Sequence, residues 1–228
     1  MITSPIDSLL HILEPYNARL CLATKTQNIE TIKKANINTV LIIAENKVQE
    51  LEEKWEYYKS IPNEIHFIGR LQDNKIRKAV KMCTVIQSVD SLALLKKINR
   101  IATEEGKIQR VFLNINISND PNKSGFLIPS PEYQNIETLL SHTTELLNIR
   151  IEGLFTILAA KLSETEILNF YQKMKTLQQV AQKIMPSITE LSMGMSHDYL
   201  LALKADATIV RIGSGIFGER TPKPTTEI

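Results

Sequence analysis

The residues best suited to chemistry lie near the two ends of the chain. The segment Ile209-Val-Arg-Ile-Gly-Ser-Gly-Ile-Phe-Gly-Glu-Arg220 is typical of a buried strand that breaks into a glycine-rich turn and opens a short helix. Glycines let main-chain N–H groups approach a ligand closely, and a helix N-terminus favours an anion. Arg211, inside the apolar strand, is costly unless a specific partner satisfies its planar donors. Together, Arg211, Gly213 and Ser214 predict a phosphate site.

A lysine follows the first apolar run, in Ala23-Thr-Lys25-Thr26. A lysine whose pKa is lowered by burial or by a nearby cation can attack a carbonyl group and form a Schiff base. Taken alone, Lys25 is more simply a solvated residue that ends a strand. Paired with the glycine turn, it predicts a site for an aldehyde that also carries a phosphate.

Two further candidates follow apolar runs in the first half of the chain. Asn46, in Ala44-Glu-Asn-Lys-Val48, could orient a ligand or cap the next helix. His66 could face a ligand, although a lone strand histidine is more often satisfied inside the core. The turn 119–126 could be a flap or an ordinary turn.

A third group lies in Leu191-Ser-Met-Gly-Met-Ser-His-Asp198. Its hydroxyls, glycine and methionines suit the face and the phosphate of a flat cofactor, which makes Ser192, Met193 and Ser196 candidate binding residues. Methionines in such a run also serve simply as core filler. Ser196 is in addition placed to N-cap the following helix, with Asp198 in its first turn.

Short apolar runs alternate with amphipathic segments along the whole chain, and glycine or polar residues separate them. The predicted strands are 20–24, 39–43, 65–68, 84–87, 111–116, 151–155, 190–192 and 207–212. The predicted helices are 28–35, 47–60, 74–81, 91–105, 131–147, 164–184 and 197–204.

This alternation predicts an α/β fold with a parallel sheet, and about eight units close into a (β/α)₈ TIM barrel. An open doubly wound sheet is the alternative, but no glycine fingerprint follows the first strand. We expect one domain over residues 1–220 and a disordered, proline-punctuated tail over 221–228. In such barrels active residues lie where strands end, and phosphate sites recur after strands 7 and 8.

Composition narrows the class of protein. The 228 residues are 43% hydrophobic, and the formal net charge of +2 gives no reason to expect nucleic acid as a partner. Cys21 and Cys83 lie in or beside apolar segments without metal-ligand spacing, so we expect buried free thiols in a reducing compartment. No signal peptide and no membrane span is predicted. We expect a soluble, cytoplasmic protein.

The order of these motifs resembles that of the pyridoxal 5′-phosphate homeostasis protein family, single-domain relatives of the alanine racemase N-terminal barrel. The resemblance runs from about Leu20 to Arg220. The matching segments are 23–26, 45–50, 66–75, 87–91, 123–126, 192–196 and 210–220.

The resemblance implies that the cofactor is pyridoxal 5′-phosphate (PLP). Lys25 matches the lysine that forms an internal aldimine with PLP, Asn46 an asparagine near the cofactor ring, and Arg211 the arginine that faces the pyridine nitrogen. Ser192 and Ser196 fall in the motif that lines the cofactor and its phosphate. The phosphate cradle corresponds to Gly213 and Ser214, where serine replaces the more usual threonine.

The chain departs from the family pattern at three places. Ala44 stands where a glycine usually precedes the Glu-Asn pair, and Asp206 replaces a glycine before the last strand. The segment ahead of Lys25 is also shorter than the family's leading helix. These departures concern loop shape and N-terminal packing, whereas the cofactor contacts remain.

The resemblance implies a role in PLP homeostasis, by buffering or delivery of the cofactor. A guanidinium has no acceptor, so Arg211 would hold the pyridine nitrogen without a proton and weaken the ring as an electron store. A racemase would also need a second base, for which His66 and a few distant tyrosines are the candidates. We therefore expect little or no turnover.

Three alternatives remain open. The chain could be a PLP-dependent enzyme of racemase type, or a class I aldolase-type barrel in which Lys25 binds a sugar phosphate. It could also be an interaction module that hands the cofactor to apo PLP-dependent enzymes. The resemblance favours a monomer whose partner is PLP. The small net charge and the lack of a long apolar run argue against a nucleic acid and a membrane as partners.

Overall fold

Eight parallel strands close into a barrel in the part of the chain that the structure describes. This computed structural model describes residues 4–35, 37–128 and 133–218. The strands are β1 (Arg19–Ala23), β2 (Ile42–Glu45), β3 (Glu64–Phe67), β4 (Val85–Val89), β5 (Gln109–Asn114), β6 (Ile149–Phe155), β7 (Glu190–Met195) and β8 (Ile209–Ile212). They pair in chain order, and β8 returns to β1. The predicted (β/α)₈ barrel is confirmed.

Helices follow the strands and cover the barrel from outside. The helices are α1 (Pro5–Leu13), α2 (Ile29–Lys34), α3 (Val48–Tyr58), α4 (Ile76–Met82), α5 (Leu92–Glu104), α6 (Gln134–Ser141), α7 (Glu164–Ile184), α8 (Tyr199–Lys204) and α9 (Ser214–Phe217). Side-chain caps begin several of them; Ser163, for example, forms a capping box with Glu166 at the start of α7. The glycine turn after β8 opens the short helix α9, as predicted.

Several predicted boundaries were wrong; β7, for example, was predicted to end at 192 and continues to Met195. Strand β2 begins at Ile42 instead of 39, because Ile37–Thr39 forms a turn of 3₁₀ helix. Helix α6 ends at Ser141 instead of 147, because the Ser141, Thr143 and Thr144 hydroxyls bond carbonyls three residues earlier. Helix α8 begins at Tyr199 with Asp198 as its N-cap residue, so Ser196 does not cap it.

The core has two layers. The barrel interior holds Cys21, Ile42, Ala44, Val85, Phe112, Phe155 and Ile209. A larger layer lies between the strands and the helices and includes Met193. Alternation of side chains along each strand produces the two layers. Cys21 and Cys83 are free and buried, and burial raises the pKa of each thiol to about 12.

Some expectations fall outside the described residues. Residues 219–228 include the end of the glycine-rich segment and the tail predicted to be disordered. None of the helices in the described ranges is long and apolar enough to cross a membrane.

Candidate binding cavity

A cavity of about 630 Å³ opens where the carboxyl ends of the strands meet. Side chains and main chain from the ends of all eight strands contribute to its wall. The residues that line it include Lys25, Asn46, Gly69, Arg70, Ser88, Asn114, Lys123, Phe155, Ser196, His197, Arg211, Gly213 and Ser214. Its volume lies in the range of small-molecule sites, about 300–1,000 Å³.

The cavity wall is strongly basic. Lys25, Arg70, Lys123 and Arg211 line it, and no Asp or Glu of residues 4–35, 37–128 and 133–218 does. Nor do those residues contain a group of three His, Cys, Asp or Glu placed to hold a metal ion. Excess positive charge in a concave site attracts anions. The electrostatics therefore favour an anionic organic ligand.

Two serines and a glycine turn form one end of the cavity. The Ser214 hydroxyl donates to Ser196 Oγ at 3.0 Å, and the Gly215 N–H lies 3.3 Å from the same oxygen. A Cβ on Gly213 would lie 3.0 Å from the Ala23 carbonyl oxygen, so glycine allows β8 and β1 to meet closely here. Hydroxyls and main-chain N–H groups from two loops thus converge, as an anion site requires.

Arg211 forms the floor of the cavity and is only 4% exposed. Its Nη1 donates to Ser192 Oγ at 2.9 Å, and its Nη2 donates to the Thr156 carbonyl at 2.7 Å. The guanidinium carbon lies 4.3 Å from the centroid of the Phe155 ring. Burial lowers the pKa of Arg211, but a guanidinium stays charged in proteins. The floor is therefore a fixed cation held by neutral partners.

Helix α3 holds the main chain on both sides of Lys25. The Lys54 ammonium donates to the Thr24 carbonyl at 2.9 Å. The Thr26 N–H donates to Glu50 Oε2 at 2.6 Å, and Thr26 has a φ of 67°, in the left-handed region. Threonine rarely adopts this conformation without support. Contacts from α3 therefore determine where Lys25 enters the cavity.

A buried carboxylate anchors this part of α3. Glu45 is fully buried, and its Oε1 accepts hydrogen bonds from Lys54 Nζ at 2.7 Å and from the Tyr58 hydroxyl at 2.7 Å. The Thr24 hydroxyl also lies 2.8 Å from Oε1. Burial raises the pKa of Glu45, and Lys54 opposes that rise. The cluster joins the ends of β1 and β2 to α3.

Asn46 lines the cavity and carries an unsatisfied acceptor. Its Oδ1 is buried and accepts no hydrogen bond from the residues that the structure describes. The neighbouring strand comes very close, because a Cβ on Gly69 would lie 1.9 Å from the Asn46 carbonyl oxygen. Only glycine permits this approach. A buried acceptor without a partner is costly, so a donor on a ligand would stabilise Asn46.

A larger groove of about 1,820 Å³ lies beside the cavity. It shares Thr26 and Asn46 with the cavity but contains Glu30, Glu53 and Asp73 as well as basic residues. Lys25 and the two serines do not line it. Its mixed charge makes the smaller, basic cavity the better candidate for an anionic ligand.

Most of the chain matches a known domain family. The family model for the alanine racemase N-terminal domain matches residues 6–221. A pyridoxal phosphate homeostasis protein of Synechocystis sp. is 39% identical over 208 residues, which cover 90% of this chain and 93% of the relative. One of the same name from Aquifex aeolicus is 34% identical, with 89% of this chain and 87% of the relative covered. The chain belongs to the pyridoxal phosphate homeostasis protein family.

Solved structures agree with this family assignment. PipY of Synechococcus elongatus without PLP has a TM-score of 0.86 and 33% identity, covering 94% of this chain and 98% of PipY. PipY with PLP bound has a TM-score of 0.84 and 31% identity. Alanine racemase of Clostridium difficile has a TM-score of 0.72 at 20% identity and shares the fold. The match covers 94% of this chain and 56% of that racemase.

The cavity brings together six of the predicted site residues of this homeostasis family member. Lys25, Asn46, Ser196, Arg211, Gly213 and Ser214 all line it. Chain positions almost two hundred residues apart thus meet at one end of the barrel, because parallel strands present all their carboxyl ends on the same side.

The other three predicted residues do not line the cavity. His66 lies inside the barrel, where its Nε2 contacts Glu64 at 2.9 Å. The buried Ser192 reaches the cavity only through Arg211. Met193 is fully buried in the outer core layer. The alternation of β7 side chains explains the last difference, since neighbouring residues face opposite sides of the barrel.

Several cavity residues were missed from the sequence. Arg70, Ser88 and Asn114 line the cavity at the ends of β3, β4 and β5, and Lys123 reaches it from the following turn. The rule that active residues follow barrel strands was sufficient to find them. The ends of β4 and β5 carry no lysine, histidine or glycine motif of their own, so no local signal marks Ser88 and Asn114.

The family pattern explains one unusual backbone position. Asp206, where the resemblance led us to expect a glycine, has a φ of 60°. Glycine adopts this left-handed conformation at no cost, and aspartate is among the few other residues that tolerate it. The departure noted from sequence is therefore compatible with the turn before β8.

Proposed function

We propose that this chain binds PLP in the basic cavity and serves PLP homeostasis in the cytoplasm. The observation that carries the proposal is that Lys25 lines the same cavity as the Ser196 and Ser214 hydroxyls. An amine and an anion site in one cavity match an aldehyde that carries a phosphate. The relatives' shared name and the PLP-bound structure of PipY support the same ligand.

The residues present fit PLP. The cavity has the volume of a small-molecule site, and its cationic side chains other than Lys25 suit an anionic ligand. Phe155 and Ile157 supply apolar wall for a flat ring. The buried Asn46 Oδ1, which lacks a partner, can accept a hydrogen bond from the ligand. Each polar feature of PLP thus has a complementary group.

In this proposal Lys25 holds the cofactor covalently. Its Nζ attacks the aldehyde carbon, a C=N bond replaces the C=O bond, and the carbonyl oxygen leaves as water. Ser196 and Ser214 bind the phosphate through their hydroxyls, with main-chain N–H groups of the glycine turn. Contacts from α3 keep the Lys25 main chain in place during exchange of the cofactor.

Arg211 favours storage over turnover. When bound, PLP supplies an electrophilic aldehyde and an electron-accepting ring. We infer that Arg211 faces the ring nitrogen and, having only donors, keeps that nitrogen unprotonated. This weakens the ring's capacity to accept electrons. A racemase would need a second base. His66, the candidate for that role, is buried beneath the cavity.

The proposed role is therefore buffering of PLP or its delivery to apo-enzymes by a monomer. Little or no catalysis is expected. Steady racemisation or transamination of common amino acids at ordinary rates, about 1–10³ s⁻¹, would contradict it.

The proposal is tested by absorbance. After unbound PLP, which is itself yellow, has been removed by gel filtration, protein that was mixed with PLP should keep a yellow absorbance band, and borohydride should trap the cofactor on the peptide that contains Lys25. Lys25→Ala should abolish both signals, because the remaining contacts are not covalent. A sugar phosphate bound as in an aldolase would add no yellow colour.

A matched control is Lys34→Ala, which removes an exposed lysine from α2. It should leave the yellow band and the trapped peptide unchanged. If Lys25→Ala keeps both signals, Lys25 is not the site of attachment. If the unaltered protein binds no PLP at micromolar concentration, the proposed function is wrong.

A further inference from the structure

A chain of hydrogen bonds runs through the barrel interior from the cavity floor to the opposite end. Arg211 Nη1 donates to Ser192 Oγ at 2.9 Å, and Ser192 Oγ donates to Gln87 Oε1 at 2.7 Å. Gln87 Nε2 lies 2.6 Å from His66 Nδ1, and His66 Nε2 lies 2.9 Å from Glu64 Oε2. The members come from β8, β7, β4 and β3.

Arg211 and Glu64, the two end members of this series of hydrogen bonds, determine the direction of every bond in the series. Arg211 can only donate, and the Glu64 carboxylate can only accept. Ser192 must therefore accept from Arg211 and donate to the Gln87 oxygen. The Gln87 amide then donates to His66 Nδ1, which leaves the histidine proton on Nε2. No member can reverse alone without placing two donors or two acceptors together.

Burial makes a reversal expensive. Ser192 and Gln87 are completely buried, and His66 is 1% exposed with its ring perpendicular to that of Phe112. The charged groups that act on the His66 ring are Glu64 on its own strand, Arg110 on β5 and Arg19 on β1. A donor that lost its acceptor through such a reversal would have no water to bond with. The reversal would therefore cost the full free energy of burying an unpaired polar group.

We propose that Gln87 is a positioning residue that holds the Arg211 guanidinium in one orientation at the cavity floor. It acts through the Ser192 hydroxyl, whose hydrogen it accepts, so that the Ser192 lone pairs face Arg211. Its importance for ligand binding rests on the proposed PLP site. Its effect on Arg211 rests only on the hydrogen bonds of the barrel interior.

Loss of the Gln87 amide should release this orientation. Without an acceptor the Ser192 hydroxyl turns, and its lone pair no longer has a fixed direction toward Nη1. The Thr156 carbonyl and the Phe155 ring still contact the guanidinium, so Arg211 remains buried but rotates more freely. Ligand binding must then order the Arg211 guanidinium, and the entropy lost in doing so lowers the affinity.

The test compares two substitutions of buried glutamines. Gln87→Met removes the amide from the barrel interior, whereas Gln178→Met removes a buried amide on α7 that donates to the Thr189 carbonyl. Gln87→Met should weaken PLP binding about tenfold and shift the absorbance maximum of the bound cofactor, while Gln178→Met should change affinity less than about twofold. Equal affinity and equal spectra for the two variants would overturn the proposal.

Gln87→Glu is the conservative variant. A carboxylate still accepts from Ser192, so PLP affinity should stay within about threefold of the unaltered protein. The same carboxylate also accepts from His66 Nδ1, so His66 should become protonated on both ring nitrogens. Nitrogen-15 NMR of the four histidines, with His66 assigned by its substitution, measures this. If Gln87→Glu binds PLP as weakly as Gln87→Met, the hydrogen-bond direction is not what matters.

A readout without PLP separates this inference from the proposed function. NMR of the Arg211 guanidinium in the ligand-free protein should show slow rotation about Nε–Cζ in the unaltered protein, Gln178→Met and Gln87→Glu, and fast rotation in Gln87→Met. Slow rotation in Gln87→Met would overturn the positioning role even if PLP binds. Failure of the unaltered protein to bind PLP would overturn the proposed function and leave this result decisive for Gln87.

Discussion

Two buried charges of the molecule are stabilised in opposite ways. Glu45 is surrounded by donors that include the Lys54 ammonium, so its charge is neutralised locally. Arg211 has a hydroxyl, a carbonyl and an aromatic face as partners and forms no salt bridge with a described carboxylate. A guanidinium is weakly hydrated and tolerates such a site. The positive charge of Arg211 therefore remains available to an anionic ligand.

The phosphate contribution of Ser214 can be measured separately from the aldehyde chemistry. Ser214→Ala removes a hydroxyl that donates to Ser196 at the end of the cavity. It should weaken PLP binding about tenfold through loss of a hydrogen bond to a charged group. Pyridoxal, which lacks the phosphate, should bind both proteins equally in absorbance titrations.

Ser214→Thr serves as the control because it keeps the hydroxyl. Its affinity for PLP should match that of the unaltered protein. An equal loss of pyridoxal and PLP binding in Ser214→Ala would place Ser214 away from the phosphate.

At the scale of elements, α3 does more than cover the barrel. Glu50, Lys54 and Tyr58 follow at intervals of four residues, so they lie on one helix face. That face contacts the end of β1 at two main-chain groups and the buried Glu45 of β2. The polar groups of this face thus supply the rigidity that the Lys25 loop needs.

Lys54→Met should destabilise the protein strongly. It leaves Glu45 buried without its cation, which typically costs about 3–5 kcal/mol. Because burial already raises the pKa of Glu45 and Lys54 opposes that rise, the carboxyl of the variant should take up a proton at mildly acidic pH. The loss of stability should therefore be smaller at pH 5 than at pH 8, as measured by urea unfolding.

The control is Lys59→Met, which breaks the exposed ion pair with Glu56 at the end of α3. Exposed pairs contribute about 0–1 kcal/mol, so its unfolding midpoint should barely move at either pH. A similar effect of the two substitutions would contradict the role of the buried pair.

At the scale of the whole molecule, the amino end of the barrel is held by ion pairs. Arg110 contacts Glu64 and Glu152 at 2.6 Å each, and Arg19 contacts Glu190 at 2.7 Å. These pairs join β3, β5 and β6, and β1 with β7. The ion pairs at the amino end of the barrel therefore contribute to stability, whereas the carboxyl end holds the candidate site.

Stability should fall as the pH is lowered from about 6.5 to 3. Burial lowers the pKa of His66 from 6.5, so below that pH the unfolded chain binds a proton that the folded one does not. The hydrogen bond from His66, followed by that from Arg110, lowers the pKa of Glu64 from 4.5 to about 2. Its contribution is present above pH 4.5 and is lost as the pH falls toward 2.

Urea midpoints between pH 8 and pH 3 measure this dependence. His66→Gln should flatten the curve near pH 6, and Glu64→Gln should flatten it below pH 5. A midpoint that stays constant from pH 7 to pH 4 in the unaltered protein would contradict the prediction.

Sequence patterns were sufficient for the barrel and for placing the main candidate residues at one end of it. Alternating apolar runs and amphipathic segments determine a parallel α/β fold, and the eight units determine closure. Lys25 and the Gly213–Ser214 turn could be placed at the same end because all parallel strands end on one side. Helix and strand limits shifted where side chains compete with the main chain, as the hydroxyls of Ser141 and Thr143 do after α6.

The amino-acid sequence by itself determined which residue types stand at the strand ends, and with them the kind of ligand. Only the tertiary structure decided which of those side chains face the cavity. The pairing of β7 with β8 shifts register between Ser192 and Met195, which no local pattern reveals. Ser192 and Gln87 are 105 residues apart, and their hydrogen bond exists only in the closed barrel. Hydrophobic periodicity is a local property of the sequence. The direction in which a side chain points and the hydrogen-bond partners it finds depend on strands that are distant in sequence.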